Sequence, residues 1–283
     1  CTKPVVAIFL GEKPENHEGK VYLAHTLEET ARMAVDLANG DPIKDNYCDP
    51  IDYEVSRPLA ADKTVKGLYS GGSLAAEAGM LIAEALNLGG LIKEEGYILK
   101  TGGYEVVDLG DDVYTQGKPH PMIDPEVRIK KILECAKDPQ TGVILLDCML
   151  GYGCHPDMAG ALAPAIREAQ EIAKADGREL YFVASVCGTR QDPQDYDRAV
   201  AELKECGVLV EESNARAIRL ALKLKGIDYK ENTRGHVEAA VDETPLPEPD
   251  EKIMELLNTK PRVINVGVRS FNDSIVAYNG TSV

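Results

Sequence analysis

Val143-Ile144-Leu145-Leu146-Asp147-Cys148-Met149-Leu150-Gly151-Tyr152-Gly153-Cys154-His155-Pro156-Asp157 passes from an unbroken apolar run through a glycine-rich turn into a helix start. A short apolar run bounded by turn residues reads as a strand buried on both faces, which is what a helix-covered parallel sheet requires. His155-Pro156-Asp157 places a proline in the opening turn of the helix that follows. Over 157–175, Met158, Ala161, Leu162, Ala165, Ile166, Ala169 and Ile172 fall on one helical face, the face that would cover the strand.

The same unit recurs on either side. Strands are expected at Gly67-Leu68-Tyr69, Glu105 to Leu109, Val143 to Asp147, Tyr181 to Val186 and Val208-Leu209-Val210, with helices near 73–86, 125–137, 157–175, 194–205 and 213–224. Parallel strands need crossover helices and cover on both faces, so this alternation predicts an α/β doubly wound parallel sheet with a flavodoxin-like strand order. The complete domain is expected over 64–226, between linkers at 41–63 and 227–260, with partial α/β domains at 1–40 and 261–283. In the first of these, Pro4 to Leu10 reads as a buried strand. Thr26-Leu27-Glu28-Glu29 reads as a capping box opening a helix to about Ala38. Asp41-Pro42, Asp49-Pro50 and Arg57-Pro58 mark the first linker, and Thr244 to Pro249 an extended part of the second. The last partial domain holds a strand-like run from Arg262 to Val268. The chain opens without Met, directly into a strand, and closes soon after another, which predicts a piece of a longer polypeptide.

Composition narrows the function. With 31 basic and 47 acidic residues the net charge is −16, which repels nucleic-acid backbones and anionic membranes. No apolar run approaches the roughly 20 residues that span a bilayer, and the first residues do not resemble a signal peptide. A cytoplasmic protein is expected. Seven cysteines without a C-x-x-C pair read as reduced thiols. Zero Trp and three Phe leave the core to Val, Ile, Leu and Ala.

In a flavodoxin-like sheet, ligands bind where neighbouring crossovers leave in opposite directions, at the carboxyl ends of the first and third strands. Here those ends lead into Ser70-Gly71-Gly72-Ser73 and Gly151-Tyr152-Gly153-Cys154-His155. Glycine allows close backbone approach, and a helix N-terminus favours an anion, so the pair predicts a phosphate site. Tight strand-to-helix turns would use the same glycines. His155 suits an acid, a base or the acceptor of a transferred group, or else caps its helix. His120, in Gly117-Lys118-Pro119-His120-Pro121-Met122, lines the pocket or is exposed. Arg190 is either an anion ligand or half of a surface ion pair. Cys154 adjoins the glycines as a small residue without an activating partner. Asp108, Asp111 and Asp112 suit a divalent cation accompanying phosphate, or simple solvation; no metal site is assigned.

Gly67 to Ala75, Asp108 to Asp111, Lys118 to Pro125 and Leu146 to Asp157 resemble FdrA proteins, and the resemblance covers most of the chain. More distantly, 64–225 resembles the CoA-ligase domain of the succinyl-CoA synthetase β subunit, and Thr2-Lys3-Pro4-Val5-Val6 a strand in the ligase part of the α subunit. The resemblance implies an NDP-forming acyl-CoA synthetase built with companion subunits as an oligomer. It assigns 1–40 to the end of a first ligase-like domain and 64–226 to a complete second one, whose turns would hold phosphate or an acyl or carbamoyl phosphate. CoA, and ATP or ADP with Mg, would bind on domains outside this chain, which shows no P-loop or ATP-grasp signature. One departure matters: the α-subunit strand leads into a Gly-His-Ala-Gly segment carrying a phosphorylated histidine, whereas Gly11 to His25 holds only His17 and His25. An oxamate carbamoyltransferase of allantoin breakdown, using carbamoyl phosphate, would need no such histidine. A scaffold or regulatory subunit with a vestigial pocket is the non-catalytic alternative.

Overall fold

The computed structural model describes residues 3–10, 20–91, 94–231, 248–260, 262–267 and 269–283. Its elements run β1 (Val5–Ile8), β2 (Val21–Ala24), α1 (Leu27–Asn39), β3 (Thr64–Tyr69), α2 (Gly72–Ala85), β4 (Leu99–Thr101), β5 (Tyr104–Asp108), α3 (Asp112–Thr115), α4 (Glu126–Lys137), β6 (Thr141–Met149), α5 (Met158–Ala175), β7 (Tyr181–Cys187), α6 (Tyr196–Glu205), β8 (Leu209–Glu211) and α7 (Asn214–Leu224). Further along lie α8 (Glu251–Asn258), β9 (Arg262–Val263), α9 (Arg269–Ala277) and β10 (Thr281–Ser282). Two compact units result, 1–239 and 240–283.

In the first unit the main sheet has the order β4-β5-β3-β6-β7-β8. All of its pairings are parallel except that of β4 with β5. The five parallel strands therefore follow the flavodoxin-like order. Successive residues of each strand face opposite sides. Leu68, Ile144, Leu146, Phe182 and Ala184 pack with α4, α5 and α6, whereas Val65, Tyr69, Val143, Leu145 and Val183 pack with α2 and α7. Helices thus cover both faces, and β6 at the centre is buried through its first eight residues. The chain leaves β3 through α2 toward β5 and leaves β6 through α5 toward β7, so the switch point falls between β3 and β6.

Several expectations need correction. The antiparallel strand β4 was not anticipated; it turns back at Gly102-Gly103, where Gly103 has φ 94°. The opening strand is shorter than expected and only partly buried, because among the described residues it pairs with β2 alone and is covered by α1; Phe9 is exposed. Thr26 caps α1 through the Glu29 N–H, but Glu29 Oε2 accepts from the His25 N–H instead of closing the box on Thr26. Residues 41–63 form no helix or strand, yet they are fastened down. Tyr47 packs with Ala24 and Met33, the Leu59 N–H reaches Leu224 O, and Lys223 Nζ donates to Ile51 O.

In the second unit, among the described residues of the expected strand, only Arg262 and Val263 form a ladder, parallel to β10; Ile264 and Val266 are exposed. His17, Cys1 and Thr2, and Thr244 to Pro247 lie outside the described residues. No described helix is long and apolar enough to cross a membrane.

Candidate functional site

The turn from β3 into α2 is built around a residue far away in sequence. Asp147, near the end of β6, is fully buried. Its carboxylate accepts the Ser70 N–H at 2.9 and 3.0 Å, the Gly71 N–H at 2.7 Å and the Ser70 hydroxyl at 3.1 and 3.0 Å. Arg128 of α4, also at zero exposure, donates Nη2 to Asp147 Oδ1 at 2.9 Å and to the Asp147 carbonyl. A Cβ on Gly71 would come within 3.2 Å of Asp147 Oδ2, and one on Gly72 within 2.7 Å of Asp108 Oδ2. These glycines do permit close approach, but to the protein's own carboxylates. As direct phosphate ligands, Ser70 and Gly71 are therefore corrected: their donors are occupied. Gly72 and Ser73, in the first turn of α2, are exposed, and their N–H groups have no acceptor among the described residues because helical hydrogen bonding begins only at Ala75.

The turn from β6 into α5 has caps of its own and partners from other elements. Gly151 (φ 132°) and Gly153 (φ 84°) occupy backbone conformations that favour glycine. Gln194 clasps the loop with both ends of its amide: Oε1 accepts the Gly151 N–H at 2.9 Å, and Nε2 donates to Gly151 O at 3.0 Å and His155 O at 3.3 Å. Asp157 caps α5 through the Gly160 N–H at 3.1 Å and pairs with Arg198 at 2.7 Å. The Gly151 amide is therefore no free anion donor. Tyr152, at the tip, is 91% exposed. Burial pushes the Cys154 thiol up, with Asp192 and Asp147 adding to the effect, so it is an unactivated thiol.

His120 and His155 stand in two copies of one turn. His120 Nδ1 accepts the Met122 N–H at 3.2 Å, His155 Nδ1 accepts the Asp157 N–H at 3.0 Å, and the His155 N–H donates to Met122 O at 2.7 Å, tying the turns together. These bonds assign the proton of each neutral ring to Nε2. Neither Nε2 has a partner among the described residues. A Cβ on Gly110 would lie 2.6 Å from His120 Nε2 and 3.1 Å from Asp108 Oδ1, so the imidazole and that carboxylate flank one point.

Burial pushes the Asp108 carboxyl above its ordinary value, and Asp111 and Asp147 push the same way, while the Gly110 N–H and His120 oppose them. Asp111 caps α3 through the Val113 N–H, so the aspartates of this loop do separate tasks. Among the described residues no three His, Cys, Asp or Glu side chains converge on a metal position.

Arg190 forms a bidentate pair with Asp197 at 2.9 and 2.8 Å. It lines an open groove of about 780 Å³ with Tyr196, Lys204 and Glu211. That groove takes no residue from either glycine turn, so the surface-pair reading holds for Arg190. Sequence reasoning missed Asp147, Arg128 and Gln194. An Asp interrupting an otherwise apolar central strand was the available signal for the first, since a buried charge demands partners; nothing local marked the other two.

Residues 68–224 match the model of the CoA-ligase family. The chain is 35% identical over 238 residues to "Uncharacterized protein YahF" of Escherichia coli (strain K12), a match covering 78% of this chain and 45% of YahF, so the chain spans about half the length of that relative. Among solved structures, the ATP citrate lyase of Methanothrix soehngenii in complex with citrate and coenzyme A is 18% identical, with 72% of this chain and 30% of that one covered and a TM-score of 0.36. The C-terminus of Escherichia coli RcsC, with its linker region and phosphoreceiver domain, is 11% identical, with 80% of each covered and a TM-score of 0.29. At these scores neither likeness speaks to this chain's chemistry.

Proposed function

The chain belongs to the CoA-ligase family, within the acyl-CoA synthetase and succinyl-CoA ligase superfamily, and on that premise we propose that it is part of an FdrA-like enzyme that binds the phosphate end of an acyl or carbamoyl phosphate. The observation that carries this reading is the pair of open N–H groups on Gly72 and Ser73 at the switch point. These amides are fixed in place before a ligand arrives, so they stabilise charge on a departing phosphate without reorganisation. His155 and His120, each with Nδ1 taken up as an acceptor, would donate from Nε2 to a substrate oxygen. CoA, and ATP or ADP with Mg, on domains outside this chain, would supply the acceptor thiol and the phosphoryl group.

Within this reading one observation favours carbamoyl transfer over a phosphohistidine relay. Of the two histidines in the stretch that matches the α-subunit segment, His17 lies outside the described residues, and His25 is 5% exposed with its Nε2 bound to Glu84 at 2.9 Å, which argues against His25 as a phosphoryl acceptor. A scaffold role draws on a different observation, the carboxylate of Asp147 already seated on the inner amides of α2.

Calorimetric titration of the intact polypeptide with its companion subunits tests the three readings, using phosphate, carbamoyl phosphate and CoA in separate runs and repeating them on Gly72→Pro. Gly71 is extended (φ −104°, ψ 113°), as a residue before proline must be, and proline at the first helical position removes the open N–H without breaking a helical bond. The added ring also displaces the Asp108 carboxylate. Carbamoyl phosphate binding that Gly72→Pro abolishes, without CoA binding, is the expected result. CoA binding would restore the ligase, and no binding at all would leave the scaffold.

A further inference from the structure

We infer that Ser70, Gly71 and Arg128 form a built receptor for one carboxylate, that Asp147 is its tethered occupant, and that this internal ligand is a positioning residue for the outer amides of α2. The donor set is the kind that recognises an oxyanion: two backbone N–H groups at 2.7 to 3.0 Å, a hydroxyl at 3.0 and 3.1 Å and a guanidinium at 2.9 Å, converging on two oxygens. Each side chain of the ion pair is at zero exposure.

Stability alone is a poor reason for such an arrangement, since apolar side chains of similar volume commonly replace a buried ion pair without loss. Arg128 also retains a cost, because its Nε and Nη1 are buried without an acceptor among the described residues. What the pair achieves is geometric. Asp147 stands on β6 and grips the residues that open α2, so the first turn of the helix is held to the carboxyl end of the neighbouring strand. The inner amides are consumed in the grip, and those of Gly72 and Ser73 are left to face solvent in a fixed direction. The second part of the inference rests on reading those outer amides as the anion site; the receptor itself does not.

Chemical rescue tests both parts on the whole chain. Asp147→Gly removes the carboxylate with its methylene and leaves room for formate. The variant is expected to bind phosphate about tenfold more weakly than the native chain, the scale of losing charge-assisted hydrogen bonds that hold the site. Added formate is expected to raise its melting temperature and restore phosphate binding, with no effect on the native chain and none from equal chloride. Should Asp147→Gly not fold unaided, refolding in formate but not in chloride is the same result. Asp147→Asn, which keeps the shape and fills the space, is expected to show no response to formate.

A folded Asp147→Gly that ignores formate overturns the receptor. Phosphate binding that strengthens in Asp147→Gly overturns the positioning role, because Asp147 would then be a competitor. Formate rescue of stability in a protein whose native form binds no phosphate would keep the receptor and remove the anion-site reading instead.

Discussion

Both glycine-rich turns at the switch point end a central strand and begin a long helix, yet they are held in opposite ways. The α5 turn caps itself: His155 Nδ1 and the Asp157 carboxylate satisfy N–H groups within three residues of themselves, while Gln194, Arg198 and the Met122 carbonyl add bonds from farther away. The α2 turn has no side-chain cap of its own and depends on Asp147, which lies 77 residues away from Ser70. A locally capped helix start is a property of its sequence, whereas a remotely capped one exists only once the sheet has formed. The second kind couples the open amides of α2 to the integrity of the sheet, and so the β3 end is where perturbation of the core should reach the proposed anion site.

The largest effect that would break this comparison is expected from Arg128→Met. It leaves the Asp147 carboxylate buried without its cation, and removing one partner of a buried pair costs about 3–5 kcal/mol. Urea unfolding should show that loss, with phosphate affinity falling in parallel; a change below about 1 kcal/mol would make the remote clamp no stronger than a local cap. Asp157→Ala removes the local cap of α5 and should cost about 1 kcal/mol, while phosphate binding at α2 stays as it was. A comparable loss of affinity in both variants would erase the distinction between the turns.

A smaller effect sharpens the picture at Asp108. Its carboxyl is raised above the ordinary 3.8 by burial first, so the folded chain holds this proton more tightly than the unfolded one. The stability it contributes is complete below 3.8 and is lost as pH rises through the raised value. Asp108→Asn, which keeps an acceptor for the Gly110 N–H, should therefore match the native chain in acid and gain on it as pH climbs toward neutrality. Thermal unfolding across that range checks the sign, and an advantage confined to acid would contradict it. The smallest effect belongs to Arg190→Ala: its pair with Asp197 is solvent-exposed, so neither melting temperature nor phosphate binding should move measurably.

How much was legible in the sequence follows the same division between local and remote. The run from Val143 to Asp157 carried its own evidence: continuous apolarity for a doubly covered strand, then glycines, then Pro156 opening a helix. The fold class and the strand order are legible from repeats of that unit. At Leu99-Lys100-Thr101 a three-residue strand is too short for period-two alternation to register, and only the Gly102-Gly103 turn hinted at its return. The glycines at 71 and 72 announced that something approaches the backbone closely, but not that Asp147 and Asp108 are what approach. The identity of an approaching group is settled by strand register, which places β6 beside β3, and register is not written in either segment alone.

The most direct test of the account is amide-resolved NMR of the chain during titration with phosphate. The Gly72 and Ser73 amides should shift saturably, while those of Ser70 and Gly71, already bonded to Asp147, and that of Gly151, held by Gln194, stay nearly fixed. Shifts centred on Gly151 to Cys154, or none at α2, would contradict it.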